Sequence, residues 1–477
     1  MLFHTWQFAV FFTVVYILYL LLPQRWQNRL LLLASCIFYG SWNWRFLFLV
    51  LFSTVINFLL GAKIYNAKSP QEKRRFLYLS LFINLGILAF FKYLNFFIAN
   101  AQALLNTLGI PTEPLVLKII LPLGISFYTF QALSYIFDIY RGQIPPAPRI
   151  LDFALYKLFF PQLIAGPIER ATRLLPQVLL PRKVTLKHLG EGLHLFFLGL
   201  LLKVFIADNL AKIVDPIFTQ GSNTQGAMVL IGAYAFTFQI YCDFAGYSNM
   251  ARGLALMMGF DLMVNFKWPF FVTNVQEFWN QWHISLSSWI RDYLYFPLFN
   301  SLKNIKGNFR IYIALFISMT VIGLWHGASW NFVLFGLYYG VLLILYLIWR
   351  TSLAKYFYFS HPLIKTIATF LSVVFMFHLT TLGMLLFRAG SLSQIGGMLQ
   401  ALGGKFQLSW TAFFLFTKFL SLIFPLLLLH LGEYLSADPL FFYRRHWAFK
   451  TVGYAFMTYL ILGWGVFNGV EFIYFQF

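Results

Sequence analysis

The sequence predicts an all-α polytopic membrane protein, and three features predict it. Sixty per cent of the 477 residues are hydrophobic and only 10% are charged, against about 25% charge in an average soluble domain. Apolar stretches of membrane-spanning length recur from end to end. The basic residues gather in short loops between those stretches, as expected of loops facing an anionic cytoplasmic leaflet.

The apolar segments lie at roughly 8–22, 30–40, 46–61, 76–98, 115–140, 154–165, 191–207, 227–258, 311–325, 330–349, 366–387, 411–431 and 451–468. Several are shorter than the span of about 20 residues that crosses a bilayer, so tilted, re-entrant and interior helices are expected beside about eleven crossings. Helices are required because backbone groups in lipid must bond within their own segment. The N-terminus has no basic n-region and no small-residue cleavage site, so the first segment reads as an anchor rather than a removed signal peptide.

Charge orients the loops. "AKIYNAKSPQEKRR" (62–75) holds five basic residues, and 167–188 carries Arg170, Arg173, Arg182, Lys183 and Lys187. "NSLKNIKGNFR" (300–310) and "YRRHWAFK" (443–450) are also basic, whereas 99–114 has no Lys or Arg. The positive-inside rule puts the basic loops in the cytoplasm and the N-terminus outside. Residues 259–310 are too polar for lipid and too aromatic for a free loop. They are expected as helices lying at the cytoplasmic interface or dipping into the bundle. The whole chain, 1–477, reads as one membrane-embedded domain with no fused soluble domain.

The net charge of +20 does not indicate nucleic-acid binding, because the basic residues are scattered and no recognition domain is visible. Cys36 and Cys242 lie in apolar sequence and behave as small hydrophobes. No metal-ligand spacing, Walker A sequence, GxGxxG, HExxH or GxSxG occurs. ATP hydrolysis, nicotinamide binding, zinc-protease and α/β-hydrolase chemistry are therefore unsupported. The absence of an internal repeat weakens an inverted-repeat transporter.

Two histidines stand out. His326, in "VIGLWHGASWNFVLFG" (321–336), sits beside Trp325 and among small residues that let helices approach closely. A histidine within a span is costly if idle, and a neutral imidazole can take a hydroxyl proton. A hydrogen bond across a helix interface explains it equally well. His283, in "FWNQWHISLSSWIRDYLYFPL" (278–298), is the second. On a continuous helix Asn280, His283, Ser287 and Arg291 would share one side, lining an opening toward an anionic ligand or simply the polar face of an interfacial helix. Asp138, Arg141 and Asp243 are further charges within or near the membrane. Asp243 needs a partner if buried, and Arg252 is one possible mate. A structural polar network accounts for these at least as well as chemistry does. "PLGISFYTFQALSY" (122–135) could line a cavity, and "FPQLIAGPIER" (160–170) looks like a hinge or re-entrant piece. His378 and His430, in apolar runs, read as packing residues.

With these stretches in view, the chain resembles the membrane-bound O-acyltransferase family. The likeness is to its bacterial branch of alginate and peptidoglycan O-acetyltransferase membrane subunits and the teichoic-acid D-alanylation protein. It rests on 121–142, 160–170, 241–260, 278–298, 323–336 and "FIYFQF" (472–477), and covers nearly the whole chain. The resemblance implies a ring of helices around a central funnel or tunnel, with His326 and His283 catalytic and Trp325 among the tunnel-lining or structural residues. It implies acetyl-CoA as a donor substrate rather than a resident cofactor; the residues themselves offer Lys267 and Arg291, whose charge suits the donor's phosphates, and Asn280 and Ser287 as donor-binding candidates. It further implies an extracytoplasmic glycan acceptor, a separate SGNH-like or esterase-like partner, and residence in the bacterial cytoplasmic membrane. A flippase for a lipid-linked glycan, a scaffold for an external transferase and a D-alanyl transferase are the competing readings.

Overall fold

In the computed structural model the described residues are 1–477 except 165, 222–223, 357–360, 468–471 and 474–477. Of the "FIYFQF" stretch, therefore, only Phe472 and Ile473 lie within the described residues. All regular structure among the described residues is helical. The helices are α1 (Trp6–Leu21), α2 (Gln24–Tyr65), α3 (Pro70–Leu88), α4 (Leu94–Thr107), α5 (Ile125–Tyr140), α6 (Ile150–Leu158), α7 (Phe160–Leu163), α8 (Ala171–Leu179), α9 (Leu186–Leu200) and α10 (Asp208–Gln220). There follow α11 (Gly226–Met257), α12 (Val275–Gln281), α13 (Ile284–Ile290), α14 (Phe296–Ser301), α15 (Phe309–His326), α16 (Trp330–Ile348), α17 (Pro362–Arg388), α18 (Leu392–Gly404), α19 (Trp410–Ser436) and α20 (Trp447–Trp464).

Among the described residues, eight helical stretches are long and apolar enough to cross a membrane: 24–65, 70–107, 186–220, 226–257, 309–326, 330–356, 362–388 and 410–436. Many of their large apolar side chains face outward, such as Phe52, Phe82, Phe370 and Phe414, while polar side chains such as Asn57 and Asp243 are buried. This inside-out distribution suits a hydrocarbon surround. The chain is a multi-pass membrane protein.

Several segment boundaries differ from expectation. The segments 30–40 and 46–61 belong to one helix, α2, broken at Asn43, whose φ of −158° and ψ of 108° are not helical. Of the apolar segment 115–140, only 125–140 is helix; 110–122 has no regular structure. The stretch 259–310 holds three short helices, α12 to α14, with α13 running into α14 through a π-helical stretch at 291–295.

The chain forms two compact units. The first comprises residues 1–193 and 251–263. Here α2 packs on α3, α5 and α6. The core is tied by a reciprocal amide pair, with Asn57 donating to Asn84 Oδ1 at 3.0 Å and Asn84 donating to Asn57 Oδ1 at 2.9 Å. Lys157 Nζ donates to Ser53 Oγ at 2.6 Å. Such pairs satisfy polar groups that lipid cannot. Only Phe137 and Tyr140 of α5 escape full burial, so its polar side chains are interior. The 160–170 stretch supplies the four-residue α7, all buried.

The second unit comprises residues 194–250 and 264–477. Its most extensively packed helix pair is the hairpin of α15 and α16. These helices touch at Gly323 and Gly336, where an added Cβ would strike the backbone of the opposite helix: at Gly323 that of Phe332 and Gly336, and at Gly336 that of Met319 and Thr320. Close approach of this kind needs small residues. His430 shares a 2.9 Å hydrogen bond with the Tyr241 hydroxyl, and His378 a 2.8 Å bond with that of Tyr234. His430 is buried in helix packing, as expected, whereas His378 is exposed and ties α17 to α11 through its hydrogen bond.

Candidate active site

The α15–α16 hairpin fixes His326. It is the last residue of α15, after which Gly327 turns to extended backbone and α16 begins at Trp330. Asn331 secures this turn, its side-chain amide donating to the carbonyls of Phe387 at 3.2 Å and Ala389 at 2.8 Å. Those bonds draw the end of α17 over the histidine. The imidazole is buried at 3% exposure. Its ring centroid lies 5.0 Å from Trp325, 5.1 Å from Phe387 and 5.8 Å from Phe335.

His283 arrives by a different device. It occupies the joint between α12 and α13 with φ 44° and ψ 52°, the left-handed region. A residue with a Cβ costs about 1 kcal/mol there, and such outliers gather at functional sites. The joint is held by Asn265. Its carbonyl accepts from Ile284 N at 2.9 Å, its side-chain oxygen accepts from Ser285 Oγ at 2.6 Å, and its amide donates to Ser248 Oγ of α11 at 2.9 Å. His283 is fully buried, and burial pushes its imidazole down to about 3, so it is neutral at pH 7. Phe244 packs edge-on at 4.6 Å.

These two devices bring the histidines together. Their ring centroids are 6.3 Å apart, and Trp325 bridges them, 5.5 Å from His283 and 5.0 Å from His326. Of the residues singled out in the sequence, His283, His326 and Trp325 form one cluster.

The single polar helix face does not form. The backbone break at His283 separates Asn280, on α12, from Ser287, on α13. Asn280 is exposed, and Ser287 donates to the carbonyls of Trp282 and His283. Arg291 is exposed and paired with Asp292 at 2.8 Å. Lys267 is exposed, its backbone N–H donating to the Gln281 carbonyl at 3.0 Å.

Asp243 is buried, but Arg252 is not its partner. Nine residues along one helix is about 13 Å, beyond reach. Lys203 Nζ instead lies 2.8 Å from Asp243 and 2.9 Å from Asp208, all three buried. Asp243 Oδ2 also accepts from Ile473 N at 2.7 Å. Lys203 was missed in the sequence. Its signal is a lone lysine in "LGLLLKVFIAD" with an acid five residues on. It lies in a π-helical stretch, 201–207, a distortion frequent at functional sites. Arg252 lies in the field of Glu169, Arg173 and Asp261 in the first unit. There too Asp138 is buried within α5 and Arg141 is exposed at its end.

Phe244, Phe387, Asn265 and Asn331 were also missed. Nothing local marks them, because each acts on a residue distant in sequence. Among the described residues no group of three His, Cys, Asp or Glu could hold a metal ion. The cluster is a pair of imidazoles in an aromatic enclosure, suited to proton transfer and hydrogen bonding in a low-dielectric site.

Comparison with known proteins bears on what this pair does. Residues 143–388 match the membrane-bound O-acyltransferase family, a span that includes both histidines. The chain is 42% identical over 377 residues to the probable alginate O-acetylase AlgI of Azotobacter vinelandii, covering 79% of this chain and 72% of that protein. It is 34% identical over 411 residues to the peptidoglycan O-acetyltransferase of Helicobacter pylori, covering 80% and 74%. It is 31% identical over 277 residues to the teichoic acid D-alanyltransferase of Bacillus subtilis, covering 56% and 68%. The chain is a multi-pass acyltransferase and belongs to the membrane-bound O-acyltransferase family.

Proposed function

We propose that this protein passes an acetyl group from cytoplasmic acetyl-CoA to an extracytoplasmic glycan, either an exopolysaccharide of the alginate kind or peptidoglycan, in the bacterial inner membrane. The higher identity to acetylating than to D-alanylating relatives favours acetyl. The observation that carries the chemistry is the buried meeting of His283 and His326 around Trp325.

His326 takes the proton of the acceptor hydroxyl as its oxygen attacks the thioester carbonyl carbon. The carbonyl π electrons move onto oxygen, giving a tetrahedral oxyanion. Neutral His283 donates an N–H hydrogen bond toward that oxygen, a role in which one preorganised donor contributes about 10²–10³ in rate. The oxyanion collapses, the carbon–sulfur bond breaks, and the His326 imidazolium returns its proton to the thiolate. The products are an O-acetyl ester and the CoA thiol.

In this reading about eleven crossings form a ring around a central funnel. The two arms of α2 on either side of Asn43, together with α1 and α20, supply crossings beyond the eight long apolar stretches. Residues 1–477 act as one membrane-embedded domain, with 259–310 entering from the cytoplasmic side and dipping into the bundle far enough for His283 to meet His326 at the far end of α15. On the cytoplasmic side the exposed Lys267 and Arg291 attract the phosphates of the donor, while Asn280 and Ser287 offer it hydrogen bonds. Asp138, Arg141, Asp243 and Arg252 shape the structure around the tunnel. A separate extracytoplasmic protein of the esterase-like SGNH kind completes transfer to the polymer.

The test is acetyl-CoA-dependent thiol release by purified protein in nanodiscs, with acetylated glycan identified by mass. His326→Ala should lower turnover at least about 100-fold. Turnover within about threefold of the parent would remove His326 from the mechanism.

A further inference from the structure

The first unit carries a cavity of about 360 Å³ that the proposed reaction does not use, lined chiefly by the first turns of α2 and α6 and by the end of α8. Three arginines face it, Arg25, Arg29 and Arg149, with one carboxylate, Asp152. Among the described residues none of the three arginines makes an ion pair; Arg29 stacks on Trp26 at 4.5 Å. The floor is built rather than incidental. Gln24 donates to the Leu179 carbonyl at 2.9 Å and Asn28 to that of Val178 at 2.9 Å, while Arg182 donates to Asn28 Oδ1 at 2.7 Å. These bonds clamp α2 to the end of α8.

The rim has the opposite chemistry. Leu151, which lines the cavity, is 48% exposed, and Leu21, Trp26 and Leu180, next to lining residues or within a turn of them in the chain, are exposed at 76%, 54% and 62%. Exposed leucines and a tryptophan beside unpaired arginines mark the boundary between hydrocarbon and headgroup. Counting basic residues puts this edge on the cytoplasmic side, where the anionic lipids lie.

We propose that this cavity binds the phosphate headgroup of an anionic phospholipid, with its acyl chains lying outside over the apolar rim. Guanidinium groups take phosphate oxygens in a two-pronged geometry that lysines do not match. The volume is at the lower end of small-molecule sites, about 300–1,000 Å³. It suits a headgroup, and the leucine rim is where chains would rest. A soluble phosphate compound shares the phosphate chemistry but has no use for that rim.

The experiment measures lipid retention by native mass spectrometry, and the thermal midpoint, of protein in phosphatidylcholine discs with and without phosphatidylglycerol or cardiolipin. Inorganic phosphate and CoA are tested in parallel. An anionic lipid should be retained and should raise the midpoint. Each arginine bonded directly to the phosphate contributes about tenfold in affinity, so Arg25→Gln with Arg149→Gln should weaken retention about 100-fold. Arg74→Gln with Arg75→Gln removes equal charge from an exposed stretch of α3 outside the cavity and should change retention less than twofold. Arg25→Lys with Arg149→Lys should give an intermediate loss, since charge is kept and the fork is not. Equal loss in the Arg74 and Arg75 variant would reduce the effect to general surface charge and overturn the proposal. So would retention within twofold in the Arg25 and Arg149 variant. Stabilisation by CoA or phosphate that the Arg25 and Arg149 variant abolishes, with lipid retention unchanged, would assign the cavity to a soluble ligand instead.

Discussion

The imidazole rings of His283 and His326 lie 6.3 Å apart with their planes at 50°. Forty-three positions separate them in the chain, and neither could find the other without the backbone turn at residue 283. That turn makes a distinct prediction. Asparagine tolerates the left-handed conformation better than most residues, so His283→Asn should fold with a thermal midpoint within a few degrees of the parent. Its turnover should nonetheless fall about 10²–10³-fold, measured as thiol release at saturating acetyl-CoA. Near-parental turnover would leave His283 a packing residue.

The buried Lys203 is shared by two carboxylates, Asp208 and Asp243. Removing the cation leaves both anions without compensation, and breaking a buried pair this way costs about 3–5 kcal/mol. Lys203→Met should therefore fail to accumulate or melt far earlier. Asp243→Asn leaves the Lys203–Asp208 pair balanced and should be clearly milder. Comparing the two by fluorescence size-exclusion after heating checks the order. The reverse order would mean the charges are not coupled as drawn.

Glu169 is buried, accepting from the backbone N–H of Met263, with Arg173 at 3.9 Å. Burial, the largest influence, raises its carboxyl from 4.5 to about 7. The folded protein thus holds a proton that the unfolded chain releases between those values. Stability should fall as pH rises from about 4.5 and level off above about 7, by roughly 3 kcal/mol at most. Glu169→Gln should flatten this dependence, seen in thermal midpoints at pH 5 and pH 8. An unchanged slope would show that other groups set it.

The basic loops predict an orientation that labelling can read. With Cys36 and Cys242 replaced, a cysteine at Lys68 should react only from the cytoplasm and one at Asn106 only from outside. The opposite pattern would invert the topology and place the arginine cavity on the wrong leaflet.

The apolar segments, the basic loops and the two Trp–His pairings were legible because each is a local property, composition or spacing within one turn or one span. Lipid imposes helices on such stretches without reference to the rest of the fold. The pairing of Asp243 was misread because a partner within the same helix is visible in the sequence, whereas Lys203 comes from another helical stretch, 201–207. The polar stripe of Asn280, His283, Ser287 and Arg291 was misread for a related reason. A helical periodicity assumes continuous backbone, and the break at His283 is set by Asn265 and Ser248, tertiary contacts that no pattern within 278–298 encodes. The sequence alone thus determined that this is a helical membrane acyltransferase with two notable histidines. Only the tertiary structure decided that they share one buried enclosure, because their meeting depends on helix-to-helix packing and side-chain bonds between distant residues.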